Sequence, residues 1–413
     1  VPDPKTDKSK IVVINAGSSS IKACVFDLAH GHSQESVAPI WRAQVNFQSA
    51  GAEITVHGLD GATTKQRFDN AKPDEGLRQL LSSMEQGMQP PIEDIAEIKA
   101  VGHRVVHGGE KHFDPTVISK DVLSELEQLV ELAPDHEPAN ILGIKVAMEH
   151  FSGATQVAVF DTGFHHTMPE EAIVYALPYD WYEKERIRRY GFHGISHSFC
   201  LDRAAAMIGK NKADFSMINC HLGGGNSLCA IKSGASIMTT MGFTPLEGLV
   251  MGTRSGSIDP GIIFHLLRQS AYSAEDLDKV LNKASGLKGI SGISDNMKEI
   301  LDAAPTNRRA ALAVEIYIRS LVANIASLVP LLGGLDVLAF AGGIGENASH
   351  IRREAGLRLA FLGVHIDDAK NNGCRTDADI SSSPASVRTL VIHTNEELAI
   401  ARECLKFVSV QSV

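Results

Sequence analysis

Apolar residues recur along this chain with two different periods. Short β-branched runs read as strands: IVVIN (11–15), IKACVFD (21–27), QVAVF (156–160), FSMIN (215–219), LDVLAFA (335–341) and TLVIH (389–393). Between them, apolar positions three and four apart predict helices over 119–132, 197–209, 308–330, 347–361 and 395–406. Elements of both kinds, mixed through one chain, predict an α/β protein. INAGSSSIKACVFD near the start and INCHLGGGNSLCAIKSG in the middle share one plan of strand, glycine loop and strand. Aligning Gly17 with Gly224 also pairs Ser20 with Ser227 and Ile21 with Leu228. Such an echo half a chain apart points to a duplicated domain, although glycine hairpins are common enough that the echo alone leaves chance similarity open.

The glycine loops themselves carry candidate chemistry. NAGSSSIK (15–22) gathers Gly17, the hydroxyls of Ser18, Ser19 and Ser20, and Lys22 around one reversal, where successive backbone N–H groups form an anion nest. HLGGGNS (221–227) offers the same nest without a lysine. AGGIGENAS (341–349) reads as a buried strand, glycines, and then a helix whose first turn includes Asn347 and whose N-terminus carries partial positive charge. Taken singly, each loop is as well explained by a plain turn; three together favour a nucleotide. No GxxxxGK[ST] is present and no GxGxxG follows a first strand, which argues against a P-loop or dinucleotide-binding Rossmann domain.

Composition narrows the class. The chain's 413 residues, 44% hydrophobic and 21% charged, suffice for two globular domains. A formal net charge of −10 argues against nucleic acid as a partner but allows a local cationic pocket. Six cysteines with no CxxC pair, several inside apolar runs, predict reduced buried thiols in a cytoplasmic protein. The opening VPDPKTDKSK has no apolar leader core, and the apolar stretch from Leu321 to Ile344 is broken by Pro330, two glycine pairs and Asp336, so no membrane partner is expected.

Four charged or titratable residues lie in glycine-rich loops after apolar runs: Arg104 in GHRVVHGG, Asp161 in VFDTGFH, His193 in RRYGFHGISH and Arg254 in MGTRSGSIDPG. Alone, each has an ordinary structural explanation as an ion-pair arginine, a turn-capping aspartate or a core histidine. Arginines suit phosphate and carboxylate through their planar fork of donors, and loops after buried strands converge on sites. In HTNEELAIA (393–401), Thr394 and Glu397 have the spacing of a capping box opening the last helix, which leaves Glu396 free to reach a magnesium ion.

Together, INAGSSSIK, GHRVVHGGE, APDHEPANI, VAVFDTGFH, RRYGFHGISH, INCHLGGGNS, MGFTPLEGLVMGTRSG, GISGIS, AGGIGENA and TNEELAIA resemble the acetate kinase family, acetokinases that include propionate kinases. The matches keep the family's order from residue 11 to about 402, nearly the whole chain. The resemblance implies two duplicated actin- and sugar-kinase-like (ribonuclease H-like) α/β domains facing across a central cleft. Residues 1–160 with 394–413 would form the acyl and metal side, and 161–393 the nucleotide side. It implies a homodimer acting on small molecules, ATP and acetate giving ADP and acetyl phosphate reversibly, with Mg²⁺ or alternatively Mn²⁺.

Residue by residue, the resemblance implies that Asn15 and Glu396 serve the metal and that Ser18, Ser20 and Lys22 form a first phosphate loop. Arg104 matches the contact to the substrate carboxylate, Asp161 the catalytic acidic residue, His193 and Arg254 the transition-state stabilisers, and His136 a further active-site histidine. His221, Leu222, Gly223, Gly224 and Gly225, with Gly343, Ile344, Gly345, Glu346 and Asn347, match nucleotide phosphate loops. Asn296, Met297 and Lys298 match the adenosine segment, and Val106, Phe192 and Pro245 the apolar pocket around the acyl methyl group.

The chemistry agrees from below: a carboxylate is already ionised at neutral pH, so its attack on phosphorus needs alignment and charge neutralisation and no general base. Four positions depart from the family pattern. Gly224 stands where an asparagine is common, with Asn226 two places later as a candidate substitute; Asp135 replaces a leucine of the acyl pocket; Asn296-Met297-Lys298 replaces an acid–apolar–arginine run; and Ser257 replaces an aspartate. These keep propionate or butyrate open as the acid and pyrophosphate as the donor. A nucleotide-gated actin-like binding protein is the distant alternative, which has no need of a substrate-carboxylate arginine.

Overall fold

In the computed structural model, which describes residues 8–17, 19–29, 37–48, 51–58, 63–69, 72–86, 90–134, 136–383 and 385–408, each glycine hairpin seeds a sheet. β1 (Lys8–Ala16) pairs antiparallel with β2 (Ser20–Ala29), and β2 with β3 (Trp41–Gln48). On its other side β1 pairs in parallel with β6 (Ile98–Val105), and β6 with β8 (Thr155–Phe160). With β4 (Gly51–His57), β5 (Thr63–Asp69) and β7 (Thr116–Val117), the order is β5-β4-β3-β2-β1-β6-β8-β7.

The second sheet repeats this plan. β9 (Ser216–Leu222) is antiparallel to β10 (Asn226–Lys232), and β10 to β11 (Ala235–Thr239), while β12 (Val337–Ala341) runs parallel to both β9 and β14 (Arg388–Val391). With β13 (Ala378–Asp379) at one edge, the order is β11-β10-β9-β12-β14-β13. Strands β3-β2-β1-β6-β8 and β11-β10-β9-β12-β14 therefore share one order and one set of directions, which makes the duplication a property of the fold. The loops differ in length, with residues 17–20 between paired Ala16 and Ile21 and 223–225 between paired Leu222 and Asn226. No single offset aligns both strands, so the expected pairing of Ser20 with Ser227 fails; Ser227 lies inside β10, opposite His221.

The chain divides into two compact units, Val1–Gly163 with Asn395–Val413, and Phe164–Thr394. The breaks fall after 163 and 394 and not after 160 and 393. Asp161 accordingly belongs to the first unit, because its N–H continues the β6/β8 pairing by donating to the carbonyl of Val105 at 2.9 Å.

In the first unit Ile11, Val12, Val13 and Ile14 are all essentially inaccessible, so β1 is covered on both faces. The helix Glu137–His150 covers the face of Val12, Ile14 and Ala16. The helix Glu396–Leu405 covers the other, and it lies so close to β6 that a Cβ on Gly102 would fall 2.5 Å from Ile400 and 2.6 Å from Cys404. That close approach carries Glu396, the first residue of the helix, to the ends of β1 and β6.

The second unit is built around the 25-residue helix Arg308–Leu332, capped by Asn307 and ended by Gly333 at φ +75°. It is long and apolar enough by composition to cross a bilayer. Its Ala313, Tyr317, Leu321, Ile325 and Leu328 are buried in a core with Ile218, Cys220 and Leu228 of β9 and β10. The helix Gly194–Ile208 packs on β9 and β12 from the opposite face. All six cysteines are free and buried, and burial pushes the Cys200, Cys220 and Cys404 thiols up.

Candidate active site

In the first unit the parallel strands β1, β6 and β8 end side by side, the address where α/β sheets present functional side chains. Asn15, Arg104 and Asp161 stand there together. Arg104 Nη2 donates to Asp161 Oδ2 at 2.5 Å, its Nη1 to Asn15 Oδ1 at a long 3.4 Å, and its Nε lies 3.8 Å from Glu396 Oε2. Asp161 is 1% exposed, and its Oδ1 and the Nε of Arg104 are buried without hydrogen-bond partners. Burial works against the charge of Arg104, but Asp161 and then Glu396 outweigh it, so the guanidinium is held charged. Burial also raises the pKa of Glu396; Arg104 pulls it down, Asp161 and Glu397 add to the rise, and Lys22 opposes it. Lys22 is exposed on β2, and Ser20 opens that strand, its carbonyl accepting from Gly17 N–H at 2.9 Å. Ser18 and Asp135 lie outside the described residues.

The expected capping box at Thr394 and Glu397 does not form. Asn395 caps the last helix, its side chain accepting from Leu398 N–H at 3.0 Å, while the Thr394 N–H and hydroxyl both turn to Glu346. With Asn395 as the cap, Glu396 takes the first helical position, where a Thr394 cap would have made it the second.

The segment after Arg104 is held by residues that the sequence reading missed. Val106 N–H donates to Asn140 Oδ1 (2.9 Å), His107 N–H to Glu137 Oε1 (2.7 Å) and Gly108 N–H to Thr162 Oγ1 (3.1 Å). Asn140 also donates to the carbonyl of Ala16 at 2.7 Å, tying the end of β1 to the end of β6. Their signal was present in APDHEPANI: polar side chains in the first turn of a helix, beside His136 at its N-cap, have backbone N–H groups to meet. Glu137 is wholly buried, its Oε2 has no partner, and burial pushes its pKa up to about 8. Val106 is buried two places beyond Arg104.

In the second unit, His193 is the N-cap of Gly194–Ile208 at φ +58°, a left-handed conformation that is strained for a side chain other than glycine. Its ring stacks on His221 with centroids 4.2 Å apart, and its Nδ1 is 2.9 Å from Ser227 Oγ. A Cβ on Gly225 would meet His193 Cε1 at 3.2 Å and both terminal nitrogens of Arg254 at 3.3 Å. The bare backbone of Gly225 thus lets both side chains close over the loop. Arg254 is aimed by Nη1 donating to the Pro245 carbonyl at 2.7 Å, and the Phe192 carbonyl lies 3.0 Å from His165 Nε2.

Asn226 does not substitute for the missing asparagine at 224. It is fully buried, its Oδ1 accepts from Gly223 N–H (2.9 Å) and its Nδ2 donates to Val250 O (2.7 Å), so it braces the loop from behind. Asn347 also differs from expectation: the glycines themselves wind into the helix Gly342–Asn347, and Asn347 ends it, donating back to Gly343 O at 2.9 Å. Glu346 accepts from Gly342 N–H and Thr394, and Met297 is 4% exposed in the core, so both side chains are committed to the fold. Asn296 caps the helix Met297–Ala303, and Lys298 N–H donates to its side chain. A cavity of about 370 Å³ is lined by Ser255, Ala284, Ser285, Gly286, Gly289 and Ile290.

Residues 10–402 match the acetokinase family. The chain is 48% identical over 399 residues to the acetate kinase of Nostoc punctiforme, covering 96% of this chain and 98% of that protein. It is 48% identical over 401 residues to the acetate kinase of Gloeobacter violaceus, with the same coverage. Among solved structures, the Porphyromonas gingivalis acetate kinase superposes with a TM-score of 0.90 at 35% identity, over 97% of this chain and 100% of that one. A propionate kinase from Francisella tularensis does so with a TM-score of 0.88 at 37% identity, over 96% and 98%.

Proposed function

Because this chain belongs to the acetokinase family, we propose that it transfers the γ-phosphoryl group of ATP reversibly to the carboxylate of acetate, giving acetyl phosphate and ADP. The observation that carries this reading is the Arg104–Asp161 pair at the ends of β6 and β8. Asp161 locks one edge of the guanidinium, and the single long contact of Nη1 to Asn15 leaves that two-hydrogen group able to grip a second carboxylate.

Acetate arrives as the anion, so one of its oxygens attacks the γ-phosphorus directly while the bond to the β–γ bridging oxygen breaks and ADP takes the electron pair. Arg104 binds and orients the acceptor. Asp161 holds Arg104 and takes no proton. The N–H groups of Gly224 and Gly225 cradle the phosphates, while that of Gly223 stays bonded to Asn226, and Arg254 and His193 meet the oxygens of the transferring group.

Magnesium, or manganese in its place, suits the oxygen donors available, Asn15 and Glu396, with Asp161 Oδ1 buried and unpartnered beside them. Among the described residues no group of three or more His, Cys, Asp or Glu gathers as a metal site, so most ligands would be water and phosphate oxygens. When bound, the cation would neutralise phosphate charge. The apolar side chains of Ile258, Ile262, Phe264 and Leu267, all exposed on and before the helix Gly261–Arg268, support a homodimer. The buried free thiols support a cytoplasmic setting.

The test is hydroxamate trapping of acyl phosphate across acetate, propionate and butyrate with ATP, GTP and pyrophosphate, on protein weighed by light scattering. Acetate with ATP should give the highest kcat/KM from a dimer. No product with any pair defeats the kinase reading, predominant pyrophosphate use overturns the donor, and a mass of 44.4 kDa overturns the dimer.

A further inference from the structure

Four buried or half-buried groups in the second unit connect in a single line. Asn219 Nδ2 lies 2.8 Å from His197 Nδ1, His197 Nε2 lies 2.8 Å from Ser227 Oγ, and Ser227 Oγ lies 2.9 Å from His193 Nδ1. Asn219, His197 and Ser227 are each 0% exposed. We infer that Asn219, His197 and Ser227 form a directional relay that fixes His193 as the neutral tautomer with its proton on Nε2, which makes them positioning residues for phosphoryl transfer.

The direction follows from what each group can do. An amide nitrogen only donates, so His197 Nδ1 accepts. Burial, and then the neighbouring His165 and His221, hold the pKa of His197 well below the usual histidine value, so this ring is neutral and has one proton. That proton is on Nε2 and goes to Ser227 Oγ. Having accepted there, Ser227 gives its one hydrogen to His193 Nδ1. His193 must then carry its own proton on Nε2. The opposite orientation of the Asn219 amide would reverse every bond and put the proton of His193 on Nδ1.

The surroundings of His193 favour the same state. Arg254 approaches from its own loop, His221 stacks from β9 with Nδ1 2.8 Å from Ser196 Oγ, and His197 lies one turn along the helix. A second proton on His193 would sit beside the Arg254 charge, and at Nδ1 it would confront Ser227 with two donors. The relay therefore supplies a hydrogen-bond donor to the transferring phosphoryl oxygens while Arg254 supplies the charge. This catalytic consequence rests on the acetate kinase reading; the tautomer itself does not.

The experiment is long-range ¹H–¹⁵N NMR of the full chain with ¹⁵N-labelled histidine rings, His193 being assigned by its loss in His193→Asn. The native protein should show His193 with a bare Nδ1 and a protonated Nε2. Ser227→Ala should mix the tautomers and lower kcat about tenfold with both KM values little changed, and Ser227→Thr should restore both. Asn219→Asp, which replaces the donor with an acceptor, should move the His193 proton towards Nδ1. A native His193 protonated on Nδ1 overturns the relay, as does Ser227→Ala with an unaltered tautomer. If Ser227→Ala does not fold, the native spectrum decides alone. An Nε2-protonated His193 in a protein that forms no acyl phosphate would sink the functional reading and leave the relay standing.

Discussion

The two units hang different chemistry on one five-strand plan. At the ends of β1, β6 and β8 the first unit gathers charge: Arg104 against Asp161, with Asn15 and Glu396 beside it. Around β9 and β10 the second gathers neutral groups, His193, Ser227, His197 and Asn219, and one arginine over a bare glycine loop. The difference matches the tasks assigned to each. A guanidinium kept charged by a buried acid can receive a small carboxylate. A phosphate chain is better met by N–H dipoles fixed in advance, which need no counter-charge of their own. Duplication supplied the frame, and side chains at the strand ends and on the helices packed beside them carry the divergence.

If the second unit works by close approach, the largest effect should come from the smallest added group. In Gly225→Ala the new methyl sits 3.2–3.3 Å from His193 and Arg254 and forces both outward. We expect kcat to fall by roughly tenfold to a hundredfold, with acetate KM and thermal midpoint little changed, as read by steady-state kinetics and calorimetry. A loss confined to acetate KM would erase the distinction between the units.

A subtler difference lies in how the first unit holds its loop. Burial raises the pKa of Glu137 to about 8 from the 4.5 of a freely solvated carboxyl. Between those values the folded protein keeps a proton that the unfolded chain releases. Stability is therefore lost as pH rises through this window, at most by roughly 1.4 kcal/mol per pH unit. Glu137→Gln keeps an acceptor for His107 N–H and removes the titration. Its melting temperature should exceed the parent's by a margin that widens from pH 5 to pH 8. A gap that is constant with pH would mean that Glu137 does not titrate there.

Much of this contrast was legible in the sequence. The apolar runs located β1, β2, β8, β9, β12 and β14, and the glycine echo anticipated the paired hairpins. β5 escaped because Thr63–Asp69 is polar and mostly exposed at a sheet edge, where no burial imposes alternation. Asp161 announced itself by its place just after a buried strand, whereas Arg104, expected in a loop, is the penultimate residue of β6, and His193 follows no strand and caps the helix Gly194–Ile208. Asn140, Glu137, Ser227 and Asn219 did not announce themselves, since each acts through a partner distant in sequence or an adjacent strand that local pattern does not disclose. The capping residue at 395 and the brace at Asn226 were misread for the same reason: Thr394 and Asn226 each found a partner that local spacing could not reveal.

The division of labour between the units is tested most directly by Arg104→Lys, which keeps a positive charge for Asp161 and removes the planar fork. The measurement is the KM for acetate and for ATP, determined side by side on the folded variant. Acetate KM should rise by about tenfold or more while ATP KM stays near the parent value. Equal rises in both, or an unchanged acetate KM, would contradict the assignment of the carboxylate to the first unit.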